Sequence, residues 1–365
     1  MIKRLFLIVT ALIATAVAGN AGVLDSVKVS TNPLGVSCGE NFSFNLTGYA
    51  QMHYELTSED GKTTNDFQVK KVILIGNMRV VKRLLMSVMV DVANSRADRR
   101  LQEAYAQWEF WHELKVRFGQ YKQPFMLENL CSPSLLGELN MTEGTKYMCG
   151  IGGDPLQGAM SGRDIGLMVT GDAFRLADGR RLLGYSLGVF NGCGLNMRDN
   201  NSAKDVIGML QVRPLKELTL TTSFILGRGH AIEASPYGDI EKDQNYNRRR
   251  WSIGAEAAVD RLKLRTEYTR GWNGDVKSQA FYAEAACQLV GGLEAVAVFD
   301  HLNRNTALST EQQRELTNYT STCNYTIGLQ YWIWRRCRVA SQYIFSDRKT
   351  GPDCHQWVTQ VQFAF

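Results

Sequence analysis

The chain has 365 residues, 44% of them hydrophobic and 21% charged, with 41 basic against 36 acidic side chains and a formal net charge of +5. That size exceeds any small disulfide-stapled scaffold, and the composition excludes global disorder and collagen-like repeats. The slight excess of base gives no support to a nucleic-acid partner, which calls for a domain-wide basic bias.

In chain order, the first feature is the apolar run from Leu5 to Ala18, which follows Lys3 and Arg4 and ends in the small residues Ala16-Val17-Ala18. It is too short to span a bilayer as a helix and has the layout of a cleaved secretory signal. Residues 1–18 are assigned to that signal, with cleavage near Ala21 as the alternative, and 19–41 to a periplasmic leader. Loss of Lys3 and Arg4 lowers the formal charge to +5 − 2 = +3. No other segment is apolar for long enough to cross a membrane as a helix, so a polytopic helical protein is excluded.

From residue 42 onward the dominant period is two. Trp357, Thr359, Val361, Phe363 and Phe365 share one face of the last segment, and Gln356, Gln360 and Gln362 the other. Such alternation marks strands with one oily and one wet face. Sixteen are expected, at 42–57, 66–79, 82–94, 101–112, 114–124, 163–173, 182–191, 204–213, 217–228, 248–259, 261–271, 277–290, 292–303, 319–332, 335–346 and 356–365. Tight turns at Val80-Val81, Glu113, Asp178-Gly179, Pro214 to Lys216, Asp260, Gly291 and Trp334 alternate with longer loops. The longer ones lie at 58–65, 95–100, 125–162, 192–203, 229–247, 272–276, 304–318 and 347–355.

Short connections at one end and long ones at the other are the mark of an up-and-down barrel in an outer membrane. All seven prolines fall in expected loops, turns or strand ends, as the missing N–H requires. Of the tryptophans, Trp111, Trp332 and Trp334 fall at periplasmic ends and Trp251, Trp272 and Trp357 near outer ends, where interfacial girdles belong. The fold class expected is therefore all-β: a sixteen-stranded antiparallel transmembrane β-barrel over 42–365. Closure is demanded because lipid cannot satisfy a sheet edge. A barrel of this size encloses more space than its side chains fill, so it implies an aqueous channel.

The connection 125–162 holds Pro133, Pro155 and glycines 150, 152 and 153. It is longer than structureless connections usually are and is expected to fold inward and narrow the pore, with a flexible external flap as the alternative. In the fifth strand Val116 and Phe118 face lipid, which turns Lys115 and Arg117 to the lumen; in the eleventh, Leu262 and Leu264 turn Lys263, Arg265 and Glu267 inward. Lys115, Arg117, Lys263 and Arg265 are the candidate solute-binding residues, since basic pore linings favour anions. Glu256 and Glu284 also face in, so the lining is mixed. Residues 66–79 place Lys70 and Lys71 on opposite faces and leave the second strand without a lumen phase. Arg248-Arg249-Arg250 mark the outer mouth of the tenth strand, either drawing anions to the pore or contacting lipid phosphate and water.

Catalytic and metal motifs are missing. His112-Glu113 does not extend to HExxH, the five histidines are scattered, and neither GxSxG nor a P-loop occurs, so neither catalytic residues nor a metal or other cofactor is expected. The eight cysteines show no CxxC; a Cys131 to Cys149 bridge within the long connection and free thiols are both open.

Several stretches resemble the phosphate-selective porin O and P family, particularly its Bacteroides-type members. They are Arg117-Phe118-Gly119-Gln120-Tyr121-Lys122-Gln123-Pro124-Phe125, then Gly162-Arg163-Asp164-Ile165-Gly166-Leu167-Met168-Val169-Thr170-Gly171. A third runs through Gly188-Val189-Phe190-Asn191-Gly192 to Lys204-Asp205-Val206 and Arg213-Pro214, and the terminal Phe365 matches the usual ending of outer-membrane barrels. The resemblance implies a homotrimeric outer-membrane porin, embedded in lipid, whose third loop narrows each pore. It would pass small hydrophilic solutes, with phosphate or other anions as the first expectation. A barrel serving as an adhesin, a binding protein or an enzyme is the alternative.

Overall fold

The computed structural model describes residues 27–31, 34–38, 41–152, 156, 160–316, 320–334 and 336–365; the expected signal and part of the leader lie outside them. Two short strands come first, β1 (Val27–Thr31) and β2 (Leu34–Cys38). The barrel begins with β3 (Phe42–Glu59), β4 (Lys62–Val80), β5 (Leu84–Asp91), β6 (Leu101–Trp111), β7 (Leu114–Lys122) and β8 (Arg163–Arg175). It continues with β9 (Arg181–Phe190), β10 (Asp205–Leu215), β11 (Leu218–His230), β12 (Asn245–Val259) and β13 (Leu262–Asn273). The last five strands are β14 (Val276–Val290), β15 (Leu293–Asn303), β16 (Ser321–Trp334), β17 (Cys337–Arg348) and β18 (Cys354–Ala364). Each barrel strand is antiparallel to its sequence neighbours, and β18 closes on β3 from Cys354 opposite Glu59 to Ala364 opposite Tyr49. The sixteen expected strands are thus all present.

Below the closing seam, the chain end and the leader share one edge. Gly48 and Phe365 exchange backbone hydrogen bonds of 3.2 and 3.0 Å, and β2 then takes over the pairing, from Leu34 opposite Leu46 to Cys38 opposite Phe42. β1 hydrogen-bonds to the other side of β2. A Cβ on Gly48 would stand 2.8 Å from the Phe365 ring, so the terminal aromatic seats only against glycine. Residues 27–31 and 34–38 are therefore part of the sheet.

Two connections expected to be long are tight. β3 and β4 run on to a two-residue turn, Asp60-Gly61, with φ of 48° and 71°, the all-positive geometry that asparagine, aspartate and glycine tolerate. β13 and β14 meet at Gly274-Asp275. The long connections are those after β5, β7, β9, β11 and β15.

The outer surface carries the expected aromatic bands. At the outer end, rings follow one another around the wall: Phe281 to Phe299 at 6.1 Å, Phe299 to Tyr325 at 5.3 Å and Tyr325 to Phe345 at 6.1 Å. Trp251 and Tyr268 (5.7 Å) extend this band in one direction, and Tyr343 with Trp357 (6.3 Å) in the other. At the inner end Trp108, Phe110 and Trp111 form a cluster on exposed positions. Trp332 departs from the girdle: it points into the lumen, where its indole N–H donates to Glu294 (3.1 Å) and Arg338 lies 5.0 Å over its ring.

A β-bulge explains why β4 showed no lumen phase. Gln51 opposes Lys71 while the next residue, Met52, opposes Val69, so Lys70 is the extra residue. A bulge re-aims side chains locally. Lys70 reaches the lumen-facing Glu55 at 3.4 Å, and Lys71 lines the channel, so both lysines face water.

Candidate functional site

The connection between β7 and β8 folds into the barrel. It contains two short helices, α1 (Leu127–Leu130) and α2 (Glu143–Met148), with Thr142 capping the second by accepting from Thr145 N. Backbone groups of the loop meet side chains from most of the wall. Met126 N donates to Ser223 (3.2 Å), Leu127 N to Glu267 (3.0 Å), Leu139 N to Gln342 (3.0 Å) and Glu143 N to Asp300 (2.7 Å). From the wall, Arg338 donates to Leu136 O (2.6 Å), Gln362 to Ser134 O (3.0 Å) and Gln51 to Pro133 O (3.3 Å). Polar strand residues that would line water thus satisfy a loop with no sheet of its own.

Apolar packing holds the same loop. Phe125, Met126, Tyr147 and Met148 are buried with Tyr121, Phe190, Ile207, Ile225, Val276 and Leu302 of the inner wall in one cluster. Gly144 rides against Ala280, where a Cβ would come within 2.6 Å of the alanine methyl. Burial pushes the Glu138 carboxyl well above its ordinary range; Oε1 accepts from Thr326 (3.1 Å), while Oε2 has no partner among the described residues. Glu128 is raised for the same reason.

A latch fixes the returning end of the loop. Asp164 accepts from Ile165 N (2.8 Å) and Gly192 N (2.6 Å), tying β8 to the connection after β9. Arg248 is buried and donates to Gly192 O at 2.8 Å and to the Asp205 carboxylate. Arg250 is also buried, donating to Met148 O and to Asn273 (3.2 Å). The basic triplet is therefore split. Arg248 and Arg250 turn inward and serve the loop, and only Arg249 faces outward, because alternation sends neighbours to opposite faces. The bridge between Cys131 and Cys149 does not form; both are free thiols.

With the loop packed against β11 to β18, open space is left along β3 to β9. A cavity of about 660 Å³ runs there from Asn94 and Arg99 at the outer end to Arg336 at the inner end. Six basic residues line it, Lys71, Arg99, Arg117, Lys122, Arg163 and Arg336, against two acids, Asp91 and Glu103. Glu103 is engaged by Arg163 at 3.0 Å. Asp91 accepts from the backbone N–H groups of Val72 (3.3 Å) and Ala93 (3.2 Å). Lys122 donates to Cys131 O (2.7 Å), and among the described residues no carboxylate lies within ion-pair distance of Lys71 or Lys122. The loop side offers neutral groups such as Asn129, Ser132 and Met141.

The four residues singled out from alternation are not brought together. Arg117 is in the cavity, its guanidinium 4.3 Å over the Tyr105 ring and bonded to Gln107 (2.7 Å). Lys115 sits lower, 3.8 Å from Asp172, which Arg213 also holds at 3.1 Å. Lys263 and Arg265 face the lumen as expected, but on the far side of the loop. There Lys263 pairs with Glu294 (3.1 Å), and Arg265 with Glu256 (2.7 Å) and Glu284 (3.6 Å). That vestibule has three basic residues, Lys216, Lys263 and Arg265, and four acids, Glu217, Glu256, Glu284 and Glu294. Lys71, Lys122 and Arg163 were missed. The bulge hid the first; the other two stand at strand ends, where the pleat no longer fixes direction, though both lie inside motifs already noted.

Residues 44–152 match the family model described as phosphate-selective porin O and P. No curated protein matches the sequence. Among solved structures, the chain is similar to the outer membrane channel DcaP of Acinetobacter baumannii (TM-score 0.65, 11% identity, 90% of this chain and 98% of that one). It is also similar to the anion-selective porin from Comamonas acidovorans (0.64, 12%, 89% and 100%) and to the trimer form of OmpT, an outer membrane protein of Vibrio cholerae (0.61, 11%, 89% and 100%). At such identities the likeness is one of fold. Together with the inward-folded loop and the cavity beside it, these matches support an outer-membrane channel with the fold of the porins, whose residues 44–152 carry the phosphate-selective porin O and P pattern.

Proposed function

We propose that this porin is an anion-preferring passive channel, exported by its N-terminal signal and working without catalysis. The observation that carries the reading is the lining of the cavity beside the loop, six basic residues to two acidic ones, with no carboxylate among the described residues within ion-pair distance of Lys71 or Lys122. A passing anion exchanges part of its hydration for these ammonium and guanidinium groups, then leaves because none encloses it. Lys71, Lys122 and Arg117 are the groups assigned to that exchange; Lys115, Arg163, Lys263 and Arg265 are assigned a lesser part, since each faces an acid. The similar Comamonas structure bears the description anion-selective and the Vibrio one is a trimer, and both properties are proposed for this chain.

Purified protein in a planar bilayer under a potassium chloride gradient tests the reading. The expected result is conductance in three-level steps and a reversal potential favouring chloride. A reversal potential favouring potassium overturns anion preference, and absence of conductance overturns the open path. Millimolar phosphate added to the bath is expected to reduce the chloride current; an unchanged current would leave a general anion channel with no phosphate site.

A further inference from the structure

Lumen-facing positions of a barrel that carries water are ordinarily polar, and apolar exceptions call for a reason. Ile207, Ile225, Val276 and Leu302 have one, since they are buried beneath the inward loop. Ile75 and Met89 are not covered in that way. They stand directly opposite each other on β4 and β5, only partly buried, on the wall of the cavity of about 660 Å³ beside the loop. From the facing side the loop presents Leu130, 38% exposed, together with Met141 and Ile151. The cavity is therefore bounded by apolar surface on both sides.

Charge is set next to that surface. Lys71, Ile73 and Ile75 follow one another along the lumen side of β4, with same-face neighbours about 7 Å apart. Arg163, held by Glu103, also donates to the Met89 sulfur at 3.5 Å, which fixes the thioether beside the basic groups. Among the described residues no carboxylate lies within ion-pair distance of Lys71 or Lys122. An anion held at these lysines has the rest of its body against Ile75, Met89 and Leu130, side chains that water covers only at a cost. Chloride and phosphate, hydrated on every side, would leave that surface wet. Apolar walls with a few placed charges are the usual form of a small-molecule site.

We infer that the solute this cavity is built to pass is an organic anion with a compact apolar body, such as an aryl sulfonate or carboxylate, in preference to an inorganic oxyanion. Its charged head meets Lys71 and Lys122, and its body lies between Ile75 and Met89 on the wall and Leu130 on the loop. The inference rests on the anion-preferring reading of the same path and names the class of solute within it.

The test uses the full-length protein in a planar bilayer bathed in potassium chloride, with benzenesulfonate, isethionate, inorganic phosphate and benzyl alcohol added in turn. Isethionate carries the same sulfonate on a smaller, hydroxylated body, so size and charge alone favour it. Benzenesulfonate is expected to halve the chloride current at a concentration at least about tenfold lower than isethionate or phosphate, a difference of about 1.4 kcal/mol that about 55 Å² of apolar surface removed from water supplies. A reversal potential with potassium benzenesulfonate on one side should show that the anion crosses. Leu130→Gln, at an exposed position of the loop, and Met89→Gln, which keeps the side-chain length, should each cut the gap between the two sulfonates by at least half, whereas Lys122→Gln should weaken both sulfonates alike. Equal block by the two sulfonates, or block by neither, overturns the proposal, as does block without passage. Equal block by benzyl alcohol would make the surface an apolar pocket indifferent to charge and also overturns it, and so does a gap that neither Leu130→Gln nor Met89→Gln narrows. Chloride preference over potassium is read in the same bilayers. Equal block in a chloride-preferring channel refutes this inference alone, while a potassium-preferring channel refutes the reading beneath it.

Discussion

A lysine in a pore offers its charge to a passing ion only when no carboxylate already sits against it, and the molecule holds both kinds. Lys122 donates to a carbonyl in the cavity beside the loop, whereas Lys263 pairs with Glu294 in the vestibule on the far side, where its side chain is 67% exposed. Two unit charges about 5 Å apart in water interact by about 0.8 kcal/mol, or about fourfold in occupancy. Lys122→Gln should therefore lower the chloride-to-potassium permeability ratio by up to about fourfold, while Lys263→Gln, whose field water and salt screen, should shift it by less than half as much. Reversal potentials of the two variants in one salt gradient check this, and equal shifts would place the selective field outside the cavity. Alternation along a strand was enough to find Arg117, Lys263 and Arg265 as lumen residues. It was silent on which of them an acid on a neighbouring strand neutralises, because that depends on register.

At the scale of the element, the inward loop behaves as a separate body clipped to the wall. Its length and glycines were legible, but its partners lie on strands up to some two hundred residues away, as with Arg338 and Leu136, and no local pattern names them. The bulge at Lys70 is similar, since one extra residue erases the period that betrays a face. The latch is the weak point. Arg248→Ala leaves Asp205 buried and unpaired, a change that costs about 3 to 5 kcal/mol in comparable buried pairs. The returning end of the loop should then come free, raising single-channel conductance and opening the loop to protease, while Arg249→Ala leaves both as they were. A second prediction concerns pH. Burial raises the Glu138 carboxyl, so the seated loop holds a proton that the released loop gives up at ordinary carboxylate values. The seated state is therefore favoured below the ordinary value and loses that advantage as pH rises through the raised one. Brief closures and openings in bilayer recordings should become more frequent from pH 5 to pH 9, and Glu138→Gln, neutral at every pH, should abolish the difference. An unchanged pH response in that variant would assign it to another group.

For the whole molecule, period two, the alternation of short and long connections, and proline placement made the barrel readable from end to end, because a lipid-bounded sheet permits few other arrangements. The seam was less legible. β2 continuing the edge beyond Phe365 depends on contact between opposite ends of the chain. The segregation of charge was hidden for a related reason. The overall balance is nearly even, +3 once Lys3 and Arg4 are removed from +5, yet the path between loop and wall has six basic residues to two acidic, and the vestibule three to four. Selectivity in such a molecule comes from where charge faces water and not from how much there is. A field of that kind is sensitive to salt, since the screening length falls from about 10 Å at 0.1 M to about 3 Å at 1 M. If the cavity acts through its field, the chloride-to-potassium ratio should decline toward one across that range, and the decline should be shallower in Lys71→Gln, which begins with less field to lose. If instead anions are held by direct contact with Lys71 and Lys122, the ratio will stay constant with salt while current saturates, and the two behaviours are separated by measuring both ratio and conductance at each concentration.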